Sequence, residues 1–156
     1  MDINDHCVSL ENAKKLKKVV IDSESIFHWI LFSEWKIFHD GKMTQENYRD
    51  CIPAYTASEL LMLLPYMITI NNDESDPFNT FRLRIEKSFI VTGMDDKERL
   101  ILSDVYIINY YCNTVTCHGI EAFIQRKLTQ NIIDKNLADC LAKMLIHLFD
   151  NRLIKI

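Results

Sequence analysis

One run of the sequence, within residues 99–116, is dense in β-branched and aromatic residues and constrains the fold more than any other feature. Successive side chains of a strand point to opposite faces. One face of this run would therefore carry Val105, Ile107, Asn109 and Tyr111, and the other Tyr106, Ile108, Tyr110 and Cys112. Because both faces are bulky, the run predicts a central strand or a strand that faces a groove.

A second strand is predicted by the alternation of residues 81–86. Phe81, Leu83 and Ile85 take core positions, and the intervening residues Arg82, Arg84 and Glu86 face the other way. This pattern is typical of a half-buried antiparallel strand. Residues 25–32 and 35–38 are also rich in aromatic and branched side chains, which predicts two further strands that could form a hairpin.

Helices are predicted at four places. The first runs from about Leu10 to Val20, with Ser9 as its N-cap. The second begins with the capping-box pair Thr56 and Glu59 and ends before Pro65. The last two run from about residue 118 to 128 and from about 135 to 149. Because strands cluster instead of alternating with helices, we predict an α+β fold: an antiparallel sheet of about four to six strands, helices packed on one side, and two C-terminal helices.

The amino-acid composition limits the classes of protein to which the chain could belong. The chain has 156 residues, 48% of them hydrophobic and only three each of Gly and Pro, which predicts a single domain over residues 1–156 that needs no metal or disulfide to fold. The five cysteines are odd in number and irregularly spaced, as expected for reduced thiols. The acidic, polar start and the lack of a long apolar run favour a cytoplasmic protein without a membrane segment.

Charge and missing motifs narrow the function. Residues 1–80 carry 7 basic and 13 acidic side chains, and residues 81–156 carry 11 basic and 9 acidic side chains. The net charge is −4, so the chain has no basic excess of the kind that nucleic-acid binding needs. Three scattered glycines cannot form a phosphate-binding fingerprint, and the chain lacks the common hydrolase and metal motifs. The sequence therefore favours a non-enzymatic protein without a cofactor.

Cysteine and histidine side chains could serve as metal ligands or as a nucleophile pair. Cys112, Cys117 and His118 are close in sequence but lack the two tight ligand pairs of a structural zinc site, so we predict no metal. A Cys–His nucleophile pair stays open as an alternative, although no flanking motif singles out one of the five cysteines.

A ligand-binding surface is the second alternative. Arg82 and Arg84 lie on the outer face of their predicted strand, and Tyr106 and Tyr110 share one face of theirs. If both faces lie on the same side of the sheet, the four side chains would line one surface suited to a phosphate or carboxylate and a flat ring. The ordinary alternative is an exposed sheet face, and no catalytic residue is predicted.

Two other segments suggest partners. Residues 9–29, with a basic helix and a following aromatic run, are superficially similar to the helix-turn-helix of MerR-type regulators, which would give a DNA-binding regulator; the alternative is a solvated helix packed on a sheet. The terminal helix has a wide apolar stripe that includes Met144 and Leu148 and continues into Leu153 and Ile154. This stripe packs either on the chain's own core or on a second copy as a homodimer.

Four segments carry a resemblance over most of the chain: residues 9–17, 24–29, 52–65 and 136–146. In this order they resemble a group of small uncharacterised proteins of gut Bacteroidetes and their prophages and mobile elements. The resemblance implies an accessory protein that acts by binding, and it carries over no catalytic residue. We therefore expect binding to a protein partner or to itself, with a sponge-like, anti-defence binder of a nucleotide signal and a DNA-binding regulator as alternatives.

Overall fold

The computed structural model describes residues 3–20, 24–39, 51–70, 80–116 and 122–154. Within it the chain divides into two compact units, Met1–Leu64 with Asp134–Ile156, and Pro65–Ile133. The assignment of residues 1–156 to a single domain stays a prediction. Each unit has its own antiparallel sheet, and the α+β class is confirmed.

The first unit combines three helices with a small sheet. A 3₁₀ turn at Ile3–Asp5 precedes these elements: α1 (Leu10–Leu16), β1 (Phe27–Leu31), β2 (Trp35–His39), β3 (Cys51–Pro53), α2 (Ala57–Leu63) and α3 (Leu137–Asp150). The strand order is β2-β1-β3. Trp29 of β1 lies opposite Ile37 of β2 and Ile52 of β3, which confirms the predicted hairpin.

Helix α3 supplies the centre of this unit, because its apolar stripe is buried and it contacts both α1 and α2. Asn136 caps its start by accepting hydrogen bonds from the backbone N–H groups of Ala138 and Asp139. Met144 and Leu148 are fully buried, so the stripe proposed for self-association packs within the chain's own core. A homodimer built on these two residues would have to open that core.

Two carboxylates connect elements of the first unit through hydrogen bonds. Asp139 accepts hydrogen bonds from the backbone N–H and hydroxyl of Ser9, at 2.8 and 2.9 Å, and from the side chain of Asn12 at 2.7 Å. Ser9 does hold the N-cap position of α1, but its hydroxyl donates to α3 and makes no capping bond. Asp139 thereby joins the starts of α1 and α3.

Glu59 is the second of these connecting carboxylates. It accepts from the backbone N–H of Thr56 at 2.6 Å while the hydroxyl of Thr56 accepts from the N–H of Glu59, which confirms the predicted capping box. The same carboxylate accepts from the backbone N–H of Ile26 at 2.9 Å, just before β1. Glu59 therefore joins α2 to the sheet as well as starting the helix.

The second unit is a larger antiparallel sheet. Its strands are β4 (Met67–Thr69), β5 (Thr80–Met94), β6 (Leu100–Thr116), β7 (Ala122–Lys127) and β8 (Ile132–Asp134). The order is β4-β5-β6-β7, and β8 also pairs with β6. The run that is richest in β-branched and aromatic residues thus forms a central strand, as predicted.

Two details of the predicted architecture differ from the structure. The strands form two sheets instead of one, and residues 122–127 form β7 where the predicted helix from about 118 to 128 was expected. Backbone pairing explains the second difference, because β7 bonds to β6 from Thr116↔Ala122 to Tyr111↔Lys127, and this pairing overrides a weak local helix preference. After residue 122, α3 is the one helix among the described residues.

We predict that Asp139→Ala lowers the free energy of unfolding of the first unit by about 2–3 kcal/mol, because three donors, one of them on the buried Asn12, lose their acceptor. Trp29 and Trp35 both lie in this unit, so tryptophan fluorescence during urea unfolding reports on it. Asp150→Ala, at an exposed position of the same helix, is the control and should change stability by less than about 0.5 kcal/mol. An equal decrease in the free energy of unfolding in both variants would contradict the role of Asp139 in connecting α1 to α3.

Candidate functional site

The most exposed apolar surface of the second unit lies on the far part of the β5–β6 hairpin. Strand β4 pairs with β5 at residues 80–82, and β7 pairs with β6 at residues 111–116. Beyond these pairings, β5 and β6 continue together to Met94↔Leu100. Every residue of 89–94 and 100–102 is exposed. We call residues 87–104 the distal ribbon.

The register of the distal ribbon separates its side chains into two faces. Phe89 and Val91 alternate along β5, Leu102 lies opposite Val91, and Met94 lies opposite Leu100 after a bulge between residues 91 and 93. These side chains, which are 52–66% exposed, form the apolar ribbon face: Phe89, Val91, Met94, Leu100 and Leu102. The opposite face mixes Ile90 and Ile101 with Thr92 and Ser103, whose hydroxyls lie 3.5 Å apart.

An ion pair lies at each end of the distal ribbon. At the base, Lys87 Nζ lies 2.6 Å from Asp104 Oδ2, and the hydrogen bond from Lys87 raises the pKa of that amine. At the tip, Asp95 Oδ2 lies 2.7 Å from an Arg99 guanidinium nitrogen, and the hydrogen bond from Arg99 lowers the pKa of the Asp95 carboxyl. Asp95 follows Met94 and Arg99 precedes Leu100, so strand alternation places the tip pair on the face opposite the apolar ribbon face.

The turn at the tip is built by Asp95. Its Oδ1 accepts from the backbone N–H groups of Lys97 and Arg99, both at 2.9 Å, and Glu98 adopts φ 57. These local bonds define the conformation of the hairpin end. The distal ribbon therefore ends in a well-defined, charged turn.

The four residues predicted to bind a ligand do not share one face. Arg82 lies opposite Tyr111 and Arg84 opposite Asn109, whereas Tyr110 lies opposite Leu83 and Tyr106 opposite Lys87. Residues opposite one another in an antiparallel pair point to the same face. The two arginines therefore lie on one face of the sheet, and Tyr106 and Tyr110 lie on the other.

Tyr110 has a structural environment. Its side chain is fully buried, its hydroxyl donates to the carbonyl oxygen of Pro65, and its backbone N–H donates to the Thr129 hydroxyl at 3.0 Å. Burial raises the pKa of the Tyr110 hydroxyl well above its ordinary value. Tyr106 is half-buried. Tyr110 therefore supports the sheet and offers no surface for stacking.

The residues that do accompany the arginines are Tyr111 and Asn109, and together with Arg82 and Arg84 they form the arginine face. The Arg84 guanidinium carbon lies 5.4 Å from the centre of the Tyr111 ring, and Arg84 is also paired with Glu86. Asn109 is buried, and its Oδ1 accepts no hydrogen bond in the described part of the chain. Strand alternation alone could not identify these neighbours, because it leaves the register between β5 and β6 undefined.

A helix-turn-helix at residues 9–29 requires a second helix, and the structure has a strand in its place. Residues 27–31, where the second helix would lie, form strand β1. On α1, Lys14 lies 5.1 Å from the centre of the Trp35 ring and Lys15 lies 2.6 Å from Glu11. These residues form an amphipathic helix beside a sheet, which was the alternative interpretation.

The described cysteines lie in settings typical of structural thiols. Cys7, Cys112 and Cys140 are buried and Cys51 is half-buried, while Cys117 and His118 lie outside the described residues. Burial, with a smaller contribution from Glu59, raises the pKa of the Cys7 thiol to about 11. In the described part of the chain, no three His, Cys, Asp or Glu side chains cluster as metal ligands.

Comparison of the chain with protein-family models, with curated proteins and with solved structures found no match. The resemblance to proteins of gut Bacteroidetes and their mobile elements stays a prediction. No described helix has the length and apolar character needed to cross a bilayer.

We predict that Cys7 resists alkylation by iodoacetamide at pH 7 in the folded protein. A pKa of about 11 leaves roughly one Cys7 thiol in 10,000 as the reactive thiolate at pH 7. Peptide mass spectrometry should show the half-buried Cys51 reacting in the folded protein and Cys7 reacting only after unfolding in urea. Faster labelling of Cys7 than of Cys51 in the folded protein would contradict a structural role and revive the nucleophile hypothesis.

Proposed function

We propose that this chain is a non-enzymatic binding protein whose distal ribbon engages a protein partner through the apolar ribbon face. The observation that carries the proposal is the exposure of Phe89, Val91, Met94, Leu100 and Leu102, each 52–66% exposed, on one side of a hairpin. Exposed apolar surface that is contiguous and rimmed by polar groups is characteristic of interaction sites.

Size supports a specific contact. The five side chains offer on the order of 500 Å² of apolar surface, which is comparable to the largest patch on a typical monomer and often functional. Water released from this surface would supply the driving force for association. Phe89, the one aromatic side chain of the five, is the expected anchor, because aromatic residues dominate interface energetics.

The charges of the ribbon favour a protein over other macromolecules. The distal ribbon carries three basic and four acidic side chains, a net charge of −1, which gives no basic excess to attract a phosphate backbone. The tip, from Asp95 to Arg99, has a charged side chain at each position, which opposes insertion into hydrocarbon. The mobile-element and anti-defence setting stays a prediction that rests on the resemblance alone.

We predict that p-benzoylphenylalanine in place of Phe89 forms a discrete photo-crosslinked protein adduct in cells that express the full chain. The substitution preserves an aromatic ring at a position that is 63% exposed, so the fold should tolerate it. The matched control is the same replacement at Phe149, another exposed phenylalanine, in α3. Mass spectrometry of the adduct identifies the partner.

Crosslinking at Phe89 that does not exceed crosslinking at Phe149 would contradict the proposed function. A single adduct mass, lost when Leu102→Asp is added on the neighbouring strand, would support it, because a buried unpaired charge opposes association through this face.

A small-ligand function is the second candidate, and the arginine face supports it. Arg84 stacks near Tyr111, and the buried Asn109 beside them has an oxygen without a partner in the described residues. These groups suit the negative charge and flat ring of a nucleotide signal. Against this candidate, Arg84 already has Glu86 as a counter-charge.

If the arginine face binds a nucleotide, saturating ligand should raise stability by about 2.7 kcal/mol at 100 times Kd, and Arg84→Ala should abolish the increase. Thermal unfolding with a panel of cyclic and linear nucleotides measures this. Unchanged melting temperatures across the panel would remove the small-ligand candidate and leave the protein-binding proposal as it stands.

A further inference from the structure

We infer that the arginine face binds a small phosphate monoester between Arg82 and Lys127, which lie on either side of Tyr111. This inference rests on the small-ligand candidate for that face, and it names the class of ligand and the residues that bind it. The arginine face and the apolar ribbon face lie on opposite sides of the β5–β6 pair, so the two sites share no side chain.

Three side chains lie directly opposite one another on neighbouring strands. Arg82 of β5 lies opposite Tyr111 of β6, and Tyr111 lies opposite Lys127 of β7. Opposite residues share a face, and neighbouring strands lie about 4.8 Å apart, so the backbone positions of Arg82 and Lys127 are about 10 Å apart. Both side chains are long and flexible, so their charged ends can reach one ligand above Tyr111. We call Arg82, Tyr111 and Lys127 the cationic row.

Two positive charges of this surface have no counter-charge. Arg84, beside the cationic row, is paired with Glu86. Arg82 and Lys127 form no ion pair with any carboxylate in the described part of the chain. Three cations and one anion leave a net charge of +2 on this surface, although the net charge of the whole chain is −4. The surface therefore attracts an anion.

Neutral polar groups hold Lys127 beside this surface. Asn131 Oδ1 accepts a hydrogen bond from the Lys127 amine at 3.2 Å and another from the Asn109 amide at 2.9 Å. Asn109 is only 4% exposed, and its own Oδ1 accepts from no donor among the described residues. Buried polar atoms are normally paired, so an unmet acceptor beside two uncompensated cations indicates a place where the chain does not satisfy its own polar groups. Binding sites have this character.

The charge of the surface identifies the class of ligand. A phosphate monoester carries a charge close to −2 at pH 7, because its second pKa is about 6, and this charge matches the two uncompensated cations. Its oxygens accept charge-assisted hydrogen bonds from a guanidinium and from an ammonium group, which are roughly twice as strong as bonds between neutral groups. The Tyr111 hydroxyl can donate to a further oxygen. A sulfate ester, with one negative charge, would leave one of the two cations uncompensated.

Titration of the ¹⁵N-labelled full chain with ethyl phosphate, followed by NMR, tests the inference. We expect chemical-shift changes that fit one site with a Kd below about 1 mM at pH 7.5 and low salt. Arg82→Gln and Lys127→Gln should each raise this Kd about tenfold or more, because each removes a charge-assisted hydrogen bond. Both side chains are exposed, so the fold should tolerate the two substitutions.

A matched variant and a matched ligand serve as controls. Lys87→Gln removes a cation from the opposite face of β5, so it should leave the Kd within about twofold. Ethyl sulfate, which has one negative charge, should bind about fivefold or more weakly than ethyl phosphate at pH 7.5. At pH 5 the affinity for ethyl phosphate should fall by a similar factor, because the ester loses its second charge, and the affinity for ethyl sulfate should not change.

The outcomes separate this inference from the proposals on which it rests. No binding of ethyl phosphate, equal affinity for ethyl sulfate, or equal weakening by Arg82→Gln and Lys87→Gln overturns it. If a nucleotide stabilises the chain through Arg84 and the substitutions of Arg82 and Lys127 change nothing, the small-ligand candidate stands and this inference fails. Photo-crosslinking at Phe89 reports on the other face and is independent of both results.

Discussion

The antiparallel pairing of β5 with β6 determines what the second unit presents to its surroundings. Its register, from Arg82↔Tyr111 to Met94↔Leu100, assigns every side chain of two long strands to one face or the other. Near β4 and β7 this pairing buries Ile108 and Tyr110. Beyond the last residues that pair with β4 and β7, the same alternation continues along β5 and β6. The apolar side chains there, which would belong to a core, are exposed on the distal ribbon.

The first unit was largely predictable, because its signals are local. The capping box at Thr56 and Glu59, the hairpin of β1 and β2 and the terminal helix all depend on residues close in sequence, and the structure confirms each. The bonds that join these elements were not predictable, since Asp139 reaches Ser9 across 130 positions. Strand β7 was mistaken for a helix for a related reason, because its pairing with β6 is a tertiary effect.

The candidate site could be predicted only in part. Alternation correctly placed Arg82 and Arg84 on one face of β5 and Tyr106 and Tyr110 on one face of β6, but it did not define how the strands align. The register places these faces on opposite sides of the sheet, and it groups Phe89 and Val91 with Leu102 across the hairpin. The alternation of side chains along each strand can be read from the sequence. Which of the apolar side chains remain exposed depends on how far the β5–β6 hairpin extends beyond its neighbouring strands β4 and β7.

Methyl NMR of the chain labelled at its methionine methyl groups tests the central claim most directly. The measured quantity is the change of the Met94 methyl signal when lysate of cells that express the chain is added, and the methyl signal of Met62, which is 89% exposed in α2, serves as the control. The account predicts that the Met94 signal shifts or broadens while the Met62 signal does not, because Met94 lies on the apolar ribbon face. Equal changes of the two signals, or no change of the Met94 signal, would contradict it.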